Sequence, residues 1–413
     1  MASTPTNLRK RLLAKINQRA SWRWAKRGLY FLLFIAVFAN FIANDKPYYC
    51  EYQGEWHAPL FRAIAVDLGL TKWPADQVNR RWYEIEELEN DYWPPVAYNP
   101  QRIDIYRKFQ SPFAKQEVEH WSFRHWLGTD GLGRDTLASL IWGTRIAMVI
   151  GIASMLIATT IGLLLGSIAG FFANDRWLTT RAQRIGGALG LLVGLYWGLM
   201  VRRPVLDTGS TANYYVVAII LALSLTLLGS YLGRKLMPQP KHVRALALDD
   251  LIMRGIETLN AIPALLLLLA IVAVIEKPTL LSLILILGLL RWTGIARFVR
   301  GELLRVRSLE YMQATQVMGL PPARALLRHA LPNALGPVYV AIAFGIAGAI
   351  LIEASLSFIG IGGIPEDVVT WGMLLRNARA SASAWWLAVF PGLAIFLTIT
   401  VFNLLGEAIS EEV

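Results

Sequence analysis

Eight predominantly apolar stretches alternate with polar segments along this chain: residues 28–44, 146–174, 185–201, 208–233, 251–275, 278–298, 334–360 and 384–405. A helix rises 1.5 Å per residue, so about 20 apolar residues cross ~30 Å of hydrocarbon. In lipid every backbone N–H and C=O must be satisfied internally, which leaves helices as the reading for runs of this length. The pattern therefore predicts an all-α polytopic membrane protein of eight spans. Residues 1–27 hold Arg9, Lys10, Arg11, Lys15, Arg19, Arg23, Lys26 and Arg27 with no acid, a basic arm that stays on the cytoplasmic side. Residues 28–44 then read as an uncleaved signal anchor running outward. Counting onward, both termini fall inside, and so does the polar segment 300–332.

Two regions break the rhythm. Residues 45–127 are charged and aromatic, with Trp56, Trp73, Trp82, Trp93, Trp121 and Trp126 and a Trp93-Pro94-Pro95 interruption. We read them as an extracytoplasmic insertion large enough for a small folded cap, its best helix signal at 76–89. It is either a solvated loop held to the membrane surface by its aromatics or a platform for a soluble partner. Residues 176–248 form an added pair of spans within the 128–413 transmembrane region. Glycines at 186, 190, 194 and 198 give one of its helices a smooth face, as do Gly162, Gly166 and Gly170 on the span before it.

Composition agrees: 55% of the 413 residues are hydrophobic, 17% are charged, and the mean hydropathy is +0.44. The net charge of +11 sits in arms and loops beside spans, so it marks sidedness rather than nucleic-acid binding. Cys50 is the one cysteine and can form no internal disulfide.

The most informative polar stretch is EYMQATQVMGLPPARALLRHALP, residues 310–332. Residues 309–318 lack Gly and Pro and suit a short helix. Gly319 stands where a left-handed residue would stop it. Pro321 and Pro322 fit the first turn of a second helix, whose unbonded N–H groups proline does not miss. That helix runs to about Ala330, and Pro332 closes it. Arg297, Arg300, Arg305 and Arg307 precede the unit, and Arg324, Arg328 and His329 lie within it. Such a rigid elbow on the inner face is a handle for something soluble.

Five blocks in order extend this reading: HWLGTDGLGRDTL (125–137), RWTGIARFVRGELLRVRSLEYMQA (291–314), RHALPNAL (328–335), EASLSFIGIG (353–362) and SAWWLAVFPGLAIFLTITVFNLLGEAI (383–409). Together with the spacing of Ala314, Gly319 and Leu331-Pro332, they resemble the C-type permease subunit of bacterial oligopeptide/dipeptide/nickel ABC importers. Gln313-Ala314-Thr315 stands where that family usually has Glu-Ala-Ala. The resemblance implies a type I importer core in the bacterial cytoplasmic membrane, of about six spans plus the added pair. It implies a homologous second permease, two cytoplasmic ATPase subunits that bind the ATP, and an extracytoplasmic substrate-binding protein. It also places Met312, Gln313, Ala314, Thr315, Met318, Gly319, Leu320, Pro321, Leu331 and Pro332 in the ATPase dock. Transport would be of peptides, alternatively of nickel chelates or peptide antibiotics, by alternating access.

Catalytic chemistry is absent from the pattern. No GxxxxGK[ST] occurs, and the five histidines show no metal-ligand spacing. Two charges lie within spans, where ionisable groups face a cavity or a partner. Glu353 either lines the translocation path or is a carboxylate bonded to a neighbouring helix, the reading we favour. Arg291 either snorkels or faces the cavity, and a direct pair with Glu353 is a third arrangement. A proton-coupled carrier using both residues is the reading from another class. Trp371 and Gly372, between the last two spans, are candidate binding-protein contacts by the resemblance. The 125–135 stretch suits a tight capped turn into a helix.

Overall fold

Helices account for most of the chain, as lipid immersion requires. The structure is a computed structural model. It describes residues 20–411 except 75–76, 79, 86–87, 119, 173–177, 203–210, 237–242, 246, 276–278, 362–367 and 382. Most of the expected basic arm, residues 1–19, and the start of the segment before Trp371 lie outside the described residues.

Six helices of the described residues are long and apolar enough to cross a membrane. They are α1 (Ala20–Ile42), α3 (Thr136–Ser167, continued by a wider π turn to Phe172), α4 (Arg181–Leu195, also continued by a π turn), α8 (Leu280–Arg307), α12 (Gly336–Ile359) and α14 (Trp386–Ser410). A further apolar pair, α6 (Leu248–Asn260) and α7 (Ala264–Val274), is bent by 80° at its break, the geometry of a broken span or a re-entrant loop. The expected kinked helix at 251–275 is thus two helices. Pro263, which has no N–H to continue the ladder, stands as the N-cap of α7. A helix, α5 (Thr211–Leu236), covers most of the expected span at 208–233 but is not among the six. Helix α3 begins ten residues before the apolar run. Asp135 accepts the Ala138 N–H at 2.6 Å and draws the polar first turns into the helix. Helix α8 starts at a reciprocal cap, with Ser282 N to Thr279 Oγ1 at 3.2 Å and Thr279 N to Ser282 Oγ at 2.8 Å.

The chain divides into two compact units, one comprising residues up to Gly166 together with Asn260 onward, the other Ser167–Leu259. In the first, α12 packs on α14 and α14 on α1. Small residues set how closely these helices approach. A methyl group on Gly166 would fall 2.6 Å from the Ala296 carbonyl oxygen, and one on Gly162 2.6 Å from Ile295 Cβ, so α3 and α8 meet nearly backbone to backbone. Ile150, Leu268, Leu283, Leu287, Ala349 and Leu356 close the core beside them.

The insertion belongs to the same unit and contains a small antiparallel sheet ordered β2-β1-β3, from β1 (Tyr49–Tyr52), β2 (Glu55–His57) and β3 (Glu89–Tyr92). The helix expected at 76–89 does not form across the described residues. Trp82–Glu84 makes a single tight turn that buries Trp82 to 1% exposure, and Glu89 is drawn into pairing with Glu51. Tertiary pairing overrides helix propensity there. The helix forms instead as α2 (Pro59–Asp67), with proline in its first turn.

In the second unit, α4 and α5 pair along the expected glycine stripe. Methyl groups on Gly186, Gly190, Gly194 and Gly198 would meet Gly229 O, Leu225 O, Ala222 Cα and Ala218 Cα at 2.2, 2.0, 2.5 and 2.8 Å. The partner positions descend as the glycines ascend, so the two helices are antiparallel. Strands β4 (Leu178–Thr180) and β5 (Val243–Ala245) close the unit's open end.

Cys50 lies on β1 with no exposed surface, and burial, assisted by Asp91, pushes its thiol up to about 11. The reactive thiolate is therefore scarce at neutral pH and sterically shielded. Because it is the one cysteine, labelling is a direct readout. A maleimide should modify the native protein at least ~100-fold more slowly than the detergent-denatured chain, given its two-unit rise in pKa alone; mass spectrometry of timed samples checks this.

Candidate functional site

The polar stretch 310–332 folds as an elbow. Helix α9 (Glu310–Val317) ends at Met318, and Gly319 takes φ +69°, a left-handed conformation that side-chain-bearing residues resist. Gly319 N bonds to Gln316 O at 3.0 Å and Leu320 N to Thr315 O at 3.1 Å, the paired closure of a Schellman turn. Helix α10 (Pro322–Ala325) opens on the two prolines. The chain then departs from expectation, since Pro332 does not close the second helix. A π turn at Leu326–Ala330 widens the ladder, Leu331 N reaching back to Leu326 O, and α11 (Leu331–Ala334) continues with Pro332 in its first turn. Asn333 ties the two arms together, donating to His329 O at 2.6 Å and Tyr311 Oη at 3.3 Å.

The elbow has two faces. Met312 and Thr315 are buried, at 1% and 4% exposure, with Ala325, Leu326 and Ala330. These two residues, expected to be part of a dock, instead turn inward, and α9 and α11 both contact α8. The outer face carries Gln313, Ala314, Gln316, Met318, Gly319, Pro321 and Pro332, with Leu320 and Leu331 half-buried. Its most exposed apolar residue, Val317 at 89%, was not singled out in the sequence. The signal available was its position, i+5 from Met312 and so on the opposite side of a 3.6-residue helix. Gln313 Nε2 bonds to Ser308 O at 3.3 Å, so the residue standing in the acid's place caps the end of α8.

Arg291 and Glu353 occupy different surroundings. A cavity of about 750 Å³ is walled by Leu268, Leu287, Phe298, Phe344 and two arginines, Arg291 and Arg297. The Arg291 guanidinium lies against α12 where Gly348 leaves room; a methyl group there would fall 2.6 Å from its Nη2. Glu353 is 1% exposed and is not part of that wall. Ser357 donates to its Oε1 at 2.7 Å, and Thr370 bonds to it as well. The two charges are thus not a pair, and Glu353 fastens the end of α12 to the segment preceding α13 (Trp371–Ala378).

Trp371 and Gly372 are also interior. The Trp371 indole N–H donates to Leu140 O at 3.1 Å with 1% of the residue exposed, and a methyl on Gly372 would lie 2.3 Å from Ala354 O. Their place as surface contacts is therefore corrected: α13 is a short helix wedged on α12 and α14, and at Gly372 only a glycine fits against α12. Trp386 is interior too, 5% exposed and donating to Thr129 O at 3.0 Å.

That bond leads to a buried knot at 125–135. His125 Nδ1 and Asp135 Oδ2 are 2.9 Å apart with neither side chain exposed, and Tyr98 stacks on the imidazole at 4.2 Å between centroids. Asp130 takes Leu132 N and Arg134 N at 2.9 Å each, holds the Arg134 guanidinium at 2.7 Å, and meets Asn377 Nδ2 of α13 at 3.4 Å. Gly133, at φ +80°, passes so close to the Asp104 carbonyl that no side chain fits. Sequence spacing indicated the turn; Tyr98 and Asn377 were not legible because both come from distant segments. Among the described residues no cluster of three or more His, Cys, Asp or Glu could hold a metal.

Comparison with known proteins adds family context. Residues 227–413 match the model of the binding-protein-dependent transport system inner membrane component. The chain is 25% identical to the inner membrane ABC transporter permease protein YejE of Escherichia coli (strain K12), over 97% of each. It is 25% identical to the peptidoglycan transport system permease protein YejE of Agrobacterium fabrum, over 99% of this chain and 92% of the relative. Identity to the glutathione transport system permease protein GsiD of Pectobacterium atrosepticum is 28%, over 70% and 72%.

The knot supplies a stability test. Asp135→Ala removes both the buried bond to His125 and the cap on α3, and should cost on the order of 2–4 kcal/mol. Asp135→Asn, which keeps the shape and the cap acceptor, should lose less. Thermal unfolding of the purified protein in detergent ranks the two.

Proposed function

The chain is an ABC importer permease of the peptide family, a multi-pass inner-membrane transport subunit rather than an enzyme, and from this premise we propose that the elbow at 310–332 is its ATPase dock. Permeases of this kind work with ATPase and substrate-binding partners in general. The observation that carries the proposal is the division of the elbow into a buried inner face and an outer face tipped by Val317 and Met318, 89% and 68% exposed. Apolar side chains so exposed gain about 1.5–3 kcal/mol each when covered. Gln313, Ala314, Gln316, Gly319, Leu320 and Pro321 surround them and complete a contact that is polar at its edge. Met312 and Thr315 lock the handle to the bundle, so displacement of the tip is carried into α8 and α11 rather than absorbed locally.

The full machine would contain two ATPases, a homologous second permease and a binding protein that delivers substrate. Both termini and the elbow would lie in the cytoplasm and residues 45–127 outside, with 1–27 as the basic arm and 176–248 as a peripheral helix pair. ATPase closure would tilt the elbow, and the bundle would alternate between inward and outward access. The cavity at Arg291 is the candidate path. Its two guanidinium groups suit the carboxylate of a peptide, in keeping with relatives whose names include peptide, oligopeptide, glutathione and peptidoglycan transport. Glu353, enclosed by Ser357 and Thr370, is better suited to holding helices together than to carrying protons, so a proton-coupled carrier finds no support in it.

Val317→Asp with Met318→Asp places two charges on the tip without touching the buried face. Membrane insertion should persist, while ATPase co-purification falls at least ~10-fold, the equivalent of about 1.4 kcal/mol. Undiminished ATPase recovery together with normal substrate-stimulated ATP turnover would falsify the docking assignment.

A further inference from the structure

A second cavity lies where α1 meets the insertion, and none of the transport chemistry above uses it. It has a volume of about 370 Å³, between α1, α2 and α3. Four side-chain amides line it: Asn40, Asn44, Gln77 and Asn99. Each has its oxygen committed to a donor of the protein. Arg145 Nη1 donates to Asn40 at 3.1 Å, Lys46 N to Asn44 at 3.2 Å, Arg62 Nη1 to Gln77 at 3.5 Å and Gln101 N to Asn99 at 3.0 Å. With the oxygens engaged, the orientation of every amide is set, and the NH₂ ends are left as donors. Trp82 lines the same cavity; it is 1% exposed, and its indole N–H has no partner among the described residues.

Two cations add to this surplus. Lys46 reaches a carboxylate only at 3.5 Å, in Asp45, while Arg80 stacks over Tyr52 and Trp82 at 4.8 and 5.6 Å instead of meeting an acid. Against these N–H donor groups and two cations, the wall offers one carboxylate among the described residues, the exposed Asp67. A buried donor without an acceptor costs about 1–3 kcal/mol, a cost that falls here on the Trp82 indole N–H and that a ligand bringing acceptors would relieve. Trp73, Trp82 and Trp142 supply apolar surface, and Trp142 has its own N–H engaged by Ala43 O at 2.9 Å, so only its ring is on offer.

We propose that this cavity is a binding site for an acceptor-rich anion, a phosphate or carboxylate group, held by the amides of Asn40, Asn44, Gln77 and Asn99, by Trp82 and by Lys46 and Arg80. A charge-assisted bond from Lys46 or Arg80 fixes the anion, and the amides count its oxygens. The site stands at the end of α1 beside Trp142, within reach of a lipid headgroup as well as of a dissolved anion. It is independent of the ATPase dock and of the Arg291 cavity, so neither assignment stands or falls with the other.

The test uses the full-length permease in phosphatidylcholine nanodiscs. In one arm, phosphatidylglycerol is added at low mole fraction and its retention is read by native mass spectrometry. In the other, glycerol 3-phosphate is titrated and binding is read calorimetrically. Wild type should bind in at least one arm, and Lys46→Met and Trp82→Phe should each weaken that binding roughly tenfold, Lys46→Met with the melting temperature unchanged. Binding in the first arm alone identifies a headgroup site; binding in the second identifies a site for soluble anions. No binding in either arm, or binding that both variants leave intact, overturns the proposal.

Discussion

Hydrocarbon supplies no hydrogen-bond partner, and that single deficit shapes nearly every contact in this protein. Each span must satisfy its own backbone, so helices associate through shape rather than through escape from water. The consequence is visible where α3 meets α8: Gly162 and Gly166 bring a helix surface to within a methyl group of Ile295 and the Ala296 carbonyl. Polar side chains inside the bundle follow the same rule. Glu353 is acceptable there because Ser357 and Thr370 surround it, and it repays its burial by pinning α13. Much of the irregular backbone lies at helix ends, the elbow and the knot among it.

At one end the elbow converts a flexible connection into a stiff one. A turn closed by two backbone bonds at Gly319 has no free dihedral left to absorb displacement, and Asn333 bridges the arms from behind. Stiffness is what distinguishes a handle from a tether. A load applied at Val317 passes through Met312 and Thr315 into the bundle, because those two side chains are interior while the tip is not. The π turn at Leu326–Ala330 is the one softened stretch, and it lies between the handle and α11.

Much of this was legible in the chain itself, and for stated reasons. Span positions follow from apolar length, which lipid enforces directly. The Gly319 stop followed from a conformation that glycine alone adopts cheaply, and the α4–α5 stripe from a four-residue glycine period. Burial direction was less accessible. Met312, Thr315, Trp371 and Gly372 looked like contact residues, because a polar or aromatic residue near a loop carries no mark of which way it faces. Pro332 misled for a related reason: a proline ends a helix only if the ladder cannot widen around it, and here it widens. The sheet and the knot depended on partners tens of residues away, such as Glu51 with Glu89 and Tyr98 with His125. No local propensity encodes those.

The knot also constrains how the bundle can move. Thr129 receives Trp386, Asp130 meets Asn377, and Leu140 receives Trp371, so three bonds join the turn before α3 and the first turns of α3 to α13 and the start of α14. All three are at least partly shielded from water, where a hydrogen bond is stronger and its loss dearer. These elements therefore travel together at that end. Relative motion has to be accommodated where such ties are fewer and the helical ladder is already interrupted: the break before α7 at Pro263 and the widened turn beside the elbow. Both interruptions flank α8, which carries Arg291 at the cavity wall and receives the elbow at its other end. A displacement applied at the elbow would thus meet a stiff clasp at the knot and a softer surround of α8, with α8 carrying the cavity wall between.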